Sequence, residues 1–232
     1  MNDLSPFVRV AGVSRSFPVD GGRLEVLKGI DLEIGRGEMI AIVGASGVGK
    51  STLLHIIGLL DRPTSGTVAV NGADCLSLPE TQIAALRNRK IGFVFQFHHL
   101  LQDFTAIENV LMPARIGREN LGDYRKRAVE ILTEVGLGKR LSHKPGALSG
   151  GEQQRVAIAR AMILKPEIIL ADEPTGNLDT RASDDVFALL KDLNRRYGLT
   201  IVLVTHNERL SAQTHRIVRM VDGRIAEVRD MA

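Results

Sequence analysis

The segment Gly44-Ala45-Ser46-Gly47-Val48-Gly49-Lys50-Ser51 constrains this chain more than any other stretch of its 232 residues. Its glycines let successive backbone N–H groups converge on one point, and the Lys50-Ser51 pair that closes it brings a mobile ammonium and a hydroxyl. The flanks matter as much. Met39-Ile40-Ala41-Ile42-Val43 is a continuous apolar run, the pattern of a strand buried on both faces, and Lys50–Leu60 is helix-like. Strand, glycine loop and helix together make a phosphate site, because the helix N-terminus adds free amides and a favourable dipole. Gly44, Ala45, Ser46, Gly47, Val48, Gly49, Lys50, Ser51 and Thr52 are therefore the expected phosphate contacts. Lys50 is expected on the terminal phosphates and Ser51 on Mg²⁺. A glycine-rich turn that only happens to precede a lysine would match the four defining positions in roughly one chain in a hundred.

A second strand pattern, Ile168-Ile169-Leu170-Ala171, ends in Asp172-Glu173. In a parallel sheet the carboxyl ends of the strands gather at the edge where ligands bind. Asp172 is thus expected in the Mg²⁺ shell, and Glu173 beside an attacking water. In isolation the pair would read equally as the acidic start of a turn. Around these strands the texture changes. Strand and turn signals fill the first third, with tight turns expected at Asn71-Gly72 and Asp222-Gly223. Between 96 and 165 strand patterns vanish and helix signals recur, including capping-box patterns at Thr105–Glu108 and Ser149–Glu152. A third such pattern, Ser77–Glu80, opens a short helix to about Asn88.

Composition removes several function classes. The charge is +3, with no Trp, two Tyr and 4% aromatic residues, so nothing favours nucleic-acid binding. The single cysteine, Cys75, excludes an intrachain disulfide framework. Met1–Pro6 lacks a signal-like pattern and the apolar runs are only strand-length, so any membrane role is expected to run through a partner. Residues 115–144 hold eight Lys or Arg against four Asp or Glu. This run reads as a solvated helix face before it reads as a lipid contact.

Leu148-Ser149-Gly150-Gly151-Glu152 sets a hydroxyl and two bare glycine amides at a helix start, a second anion-binding end. At average residue usage the string arises by chance in roughly one such chain in two thousand. With the phosphate loop before it and Asp172-Glu173 after it, the chain resembles the nucleotide-binding subunits of ABC transporters. The resemblance implies an α/β, P-loop NTPase (RecA-like) sheet core with an N-terminal antiparallel β region and an inserted α-helical subdomain. It implies one domain over 1–232, with 1–95 and 166–232 as the nucleotide-binding core and 96–165 as the helical part.

The same resemblance implies ATP and Mg²⁺ as ligands and assigns single residues. Gln96 is the glutamine joining the sheet core to the helical insert, a Mg²⁺ ligand and sensor. Asn177-Leu178-Asp179 is the loop crossing a dimer interface. His206 is the γ-phosphate histidine, catalytic with Glu173, Lys50 and Gln96. Phe17 takes the place of the aromatic that stacks on adenine. Taken alone, Phe17 reads as packing, His206 as a loop histidine and Gln96 as a polar loop residue. Ser149, Gly150 and Gly151 of one chain would cover ATP held by a second copy, as a two-fold pair requires, and Asp179 would lie at that seam. Gln153-Gln154-Arg155 reads as helix surface and subunit contact.

The partners implied are a second copy of the chain and separate integral membrane subunits, with no direct substrate contact. The expected location is peripheral, on the cytoplasmic face of the inner membrane. The stretch Phe95–Val110 resembles the lipoprotein-releasing branch of the family, while Asp172–Asp179 suits the macrolide-export and cell-division ATPases as well. His98 and His99 read as exposed loop residues or as contacts for a partner's helix, for which Phe97 and Leu100 are the expected groove.

Overall fold

A computed structural model describes residues 6–231. β1 (Val8–Val19) and β2 (Gly22–Ile34) form a long hairpin, followed by β3 (Met39–Val43), α1 (Lys50–Ile57), β4 (Ser65–Val70) and β5 (Ala73–Asp74). Next come α2 (Glu80–Lys90) and β6 (Ile91–Phe95), then three helices with no strand between them: α3 (Ala106–Ile116), α4 (Leu121–Glu134) and α5 (Gly150–Met162). The chain then runs through β7 (Ile168–Asp172), α6 (Thr180–Tyr197), β8 (Thr200–Val204) and the short α7 (Glu208–Ser211). It closes on the hairpin of β9 (Arg216–Val221) and β10 (Arg224–Asp230).

These strands make two sheets. One is antiparallel, in the order β2-β1-β4-β5; the other has six strands, β10-β9-β3-β8-β7-β6, parallel except for β10. The register decides where the chemistry goes. Asp172 lies opposite Phe95 on one side and Val204 on the other, so the chain beyond β6, β7 and β8 leaves one common edge.

Every residue of β3 and β8 is buried, and alternate side chains feed two cores. Met39, Ala41 and Val43 pack with α3–α6, while Ile40 and Ile42 pack with Leu53, Leu54 and Ile57 of α1 and with the inner face of the hairpin sheet. Each of these side chains larger than alanine gains about 1.5–3 kcal/mol on burial. α1 is thereby held between the two sheets, which aims its N-terminus at the common edge.

Both tight turns form with left-handed φ, 51° and 75° at Asn71-Gly72 and 47° and 76° at Asp222-Gly223. The capping boxes at Thr105–Glu108 and Ser149–Glu152 form in both directions. The one expected at Ser77 does not. α2 starts after Pro79, because a residue preceding proline is kept out of the helical region. Ser77 instead donates to the Asp74 carbonyl and Glu80 pairs with Arg62. No helix among the described residues is long and apolar enough to cross a membrane.

Candidate functional site

A cleft of about 590 Å³ opens at the common edge of the parallel strands. A larger groove of about 780 Å³ beside α6 and α7 contains none of the expected site residues, so chemistry and not volume singles out the cleft. One wall is the glycine loop. Gly44 has φ 151°, and a Cβ there would lie 2.4 Å from the Met220 carbonyl, so only glycine lets the loop leave β3 on this path. Gly49, at φ 101°, sits at the head of α1 against Leu27 and Val26. Ser46, Gly47, Gly49, Lys50, Ser51 and Thr52 all line the cleft; Ala45 and Val48 shape the loop without lining it. Lys50 is buried with its Nζ donating to the carbonyls of Gly44 and Ala45, 2.9 Å each, which holds the ammonium inside the curl of the loop.

The opposite wall carries the acids. Ser51 Oγ donates to Asp172 Oδ1 at 2.9 Å, placing a hydroxyl and a carboxylate side by side. Glu173 adopts a left-handed backbone with φ 45°, which costs a non-glycine residue about 1–3 kcal/mol. Its amide donates to the Val204 carbonyl (3.0 Å), and its carboxylate meets His206 Nδ1 at 3.0 Å. Gln96 also lines the cleft and is locked to the loop after β7. Its Nε2 donates to Asn177 Oδ1 (2.9 Å) and Asn177 Nδ2 donates back to the Gln96 carbonyl (3.2 Å). A side chain at Gly176 would collide with that amide, 2.9 Å away.

The remaining expected residues lie elsewhere. Ser149 Oγ accepts from Glu152 N (3.2 Å) and Glu152 accepts from Ser149 N (2.8 Å), a bond that holds the Glu152 carboxyl below the usual carboxylate range. None of Ser149, Gly150 and Gly151 lines the cleft of the same chain. They pack instead against the 177–182 segment, with Leu178 and Ala182 3.3 Å from where Gly150 and Gly151 would carry a Cβ. Asp179 caps α6 through Ala182 N. Phe17 does not line the cleft; it is half-buried on the hairpin, with the Arg15 guanidinium 4.5 Å from its ring centre.

Three expectations need correction. Gln154 is fully buried and not on the helix surface, its Nε2 donating to the Phe95 carbonyl at 3.3 Å. Gln153 turns back to the carbonyls of Pro145 and Leu148. Leu100 belongs to the helical core, leaving Phe97, at 67% exposure, without it as a groove partner. Sequence reasoning missed Val26, a cleft-lining residue of β2, and the pairing of Asn177 with Gln96.

A family model described as ABC transporter matches residues 27–176. The chain belongs to the ABC transporter family. Proteins named lipoprotein-releasing system ATP-binding protein LolD are similar to it over almost their whole length. The protein from Geobacter metallireducens is 55% identical over 222 residues, 96% of this chain and 99% of that one. The one from Bacteroides thetaiotaomicron is 53% identical over 218 residues, covering 94% and 98%. Among solved structures, an ATP-binding cassette determined as a dimer in a post-hydrolysis state with ADP and Pi matches with a TM-score of 0.89. It is 39% identical and covers 97% of this chain and 99% of that one. The chain is accordingly an ATP-binding, ATP-hydrolysing enzyme.

The donor set also suits a small hard cation. No group of three His, Cys, Asp or Glu that could hold a metal occurs among the described residues. Mg²⁺ bound to a nucleotide needs no such cage: one carboxylate, one hydroxyl and the phosphates suffice, and the Ser51–Asp172 pair provides the first two.

Proposed function

We propose that this chain powers the release of lipoproteins from the inner membrane, acting as a pair of identical ATPase subunits on the cytoplasmic face beneath separate membrane subunits. One observation carries the substrate class: relatives named for lipoprotein release are 50–55% identical across nearly the whole of both chains. The dimer is supported by the paired cassette with the same fold.

In this reading the loop amides from Gly44 to Thr52 and the α1 N-terminus bind the phosphates, and Lys50 exchanges its two carbonyl partners for phosphate oxygens. Ser51, Asp172 and Gln96 would hold Mg²⁺, which when bound offsets the phosphate charge. Glu173 orients a water and takes its proton as the oxygen attacks the γ-phosphorus and the bond to the bridging oxygen breaks. His206, bonded to Glu173, steadies that carboxylate and faces the γ-phosphate. Phe17 supports the adenine. Ser149, Gly150 and Gly151 lie outside the cleft of their own chain and close on ATP held by the second copy, with Asp179 at the seam. Residues 96–165 form the helical body that moves against 1–95 and 166–232.

The test is reconstitution of the chain with its co-purifying membrane subunits in proteoliposomes that hold a labelled lipoprotein. ATP-dependent release of the label is expected. ATP hydrolysis without release, or with macrolide efflux instead, would overturn the substrate class.

A further inference from the structure

Two side chains of α5 hold the backbone on either side of Gln96. Gln154 donates to the carbonyl of Phe95, the last residue of β6 (3.3 Å). Arg160, six residues on, donates from Nη2 to the His98 carbonyl (2.8 Å) and from Nη1 to the His99 carbonyl (2.7 Å). Only Gln96 and Phe97 lie between these grips. The first faces the cleft and the second is exposed. α5 runs hard against β6, since a Cβ at Gly92 would fall 2.8 Å from the Ala161 carbonyl.

The two grips differ in kind. Arg160 makes no salt bridge among the described residues; its planar fork is committed to two carbonyls, an attachment with fixed geometry. Gln154 is fully buried, makes one long bond and, among the described residues, leaves its Oε1 without a partner. A carbonyl can only accept, so the amide nitrogen has to face Phe95 and the orphaned oxygen cannot trade places with it. A buried amide that uses one of its four hydrogen-bonding positions is a breakable attachment. Phe95 is bonded into the sheet and His98–His99 are bonded to α5, so any shift of α5 against the sheet must be absorbed at Gln96 and Phe97.

We propose that Gln154 and Arg160 are positioning residues: Gln154 pins α5 to the sheet beside Gln96, and Arg160 makes His98–His99 follow α5, so that Gln96 and Phe97 take up its displacement together. The inference rests on the reading above that Gln96 and Ser149–Gly151 meet ATP. A signal from the helix start then reaches the cleft glutamine and an exposed phenylalanine through one link.

Backbone hydrogen exchange of the full chain, with and without a non-hydrolysable ATP analogue, tests this. In the native chain the analogue is expected to slow exchange in both 148–154 and 95–101. In Arg160→Met, protection of 148–154 should persist while that of 95–101 is lost; Arg160→Lys, able to reach only one carbonyl, should retain part of it. In Gln154→Met, exchange at 95–97 should rise without nucleotide, and kcat should fall about tenfold with KM for ATP unchanged. A residue that only stabilised the fold would lower the melting temperature and nucleotide affinity together. Retention of the full 95–101 response in Arg160→Met, or unchanged kinetics and exchange in Gln154→Met, would overturn the proposal. So would a native chain in which 148–154 responds and 95–101 does not, while the shared-site reading survives. Absence of any response at 148–154 in the native chain would overturn the shared-site reading and this proposal with it.

Discussion

The sheet half and the helical half of this molecule hold their polar ends in different ways. Around the cleft, the strands that lead to Gly44, Asp172 and His206 are almost wholly buried and paired on both sides, so a dense apolar scaffold sets the loop positions. Between β6 and β7 the helices are defined by their caps and by side chains that reach across to backbone carbonyls, as Arg127 does to Met162 and Ile163 and Arg160 to His98 and His99. The two halves share one apolar core, but at the sheet edge beside the cleft the helical segment adds individual polar tethers. The first arrangement suits chemistry that needs fixed distances. The second suits the body movement proposed for residues 96–165, since a few bonds would have to rearrange.

Substitutions at the two kinds of site should separate these roles. The largest effect is expected in the rigid half. Glu173→Gln should lower kcat by about a hundredfold or more while ATP affinity in equilibrium binding stays near that of the native chain. Turnover close to native would remove Glu173 from proton transfer. In the helical half, Ser149→Arg should leave ATP binding by the isolated chain intact and lower turnover by about ten- to a hundredfold through a misfit at the second copy. Light scattering in the presence of a non-hydrolysable analogue should show no ATP-induced pair. Normal pairing would mean that the two halves do not meet across chains.

Smaller effects probe what holds each half together. Thr105→Ala removes a hydroxyl that caps α3 and receives the Glu108 amide, so chemical denaturation should show a loss of about 1 kcal/mol. A loss well below that would mean that core contacts alone hold α3.

The last prediction concerns pH. Glu167 accepts from Lys90 (2.5 Å) and from Arg36 and Asn71 (3.2 Å each), joining the end of α2 to two turns at the end of the sheet remote from the cleft. The Lys90 bond leads in holding its carboxyl below the ordinary range of 4.5. A depressed carboxylate contributes stability that is present above its unfolded value and lost as pH falls through the folded one. Glu167→Gln should therefore cost about 1 kcal/mol at neutral pH, and the difference from the native chain should shrink below about pH 4.5. A difference independent of pH would assign the effect to packing.

Much of this was legible in the residues for definite reasons. Met39–Val43 announces a strand because it is buried on both faces, and Asn71-Gly72 announces a turn because both residues tolerate positive φ. Thr105 and Ser149 announce helix starts because their partners stand three residues on. Ser77 carries the same signal and misleads, since Pro79 delays the helix by local sterics that the capping pattern does not encode. Gln154 and Leu100 differ from expectation for another reason: a place on a helix or in a loop does not fix burial, because the neighbour opposite decides whether a side chain meets water.

By itself the sequence determined the chemistry available to this protein: a loop that can wrap phosphate, a lysine, a hydroxyl, two adjacent carboxylates and a second glycine-rich helix start. These depend on short-range covalent spacing, which no packing can alter. Tertiary structure decided which of them share a cleft. Parallel pairing with Asp172 opposite both Phe95 and Val204 brings Gln96, Glu173 and His206 to one edge, across separations in the chain that local propensity cannot bridge. It also decided that Ser149–Gly151 stay outside that cleft, because the helix they begin is docked along β6, with Ala161 against Gly92 and Gln154 bonded to the Phe95 carbonyl.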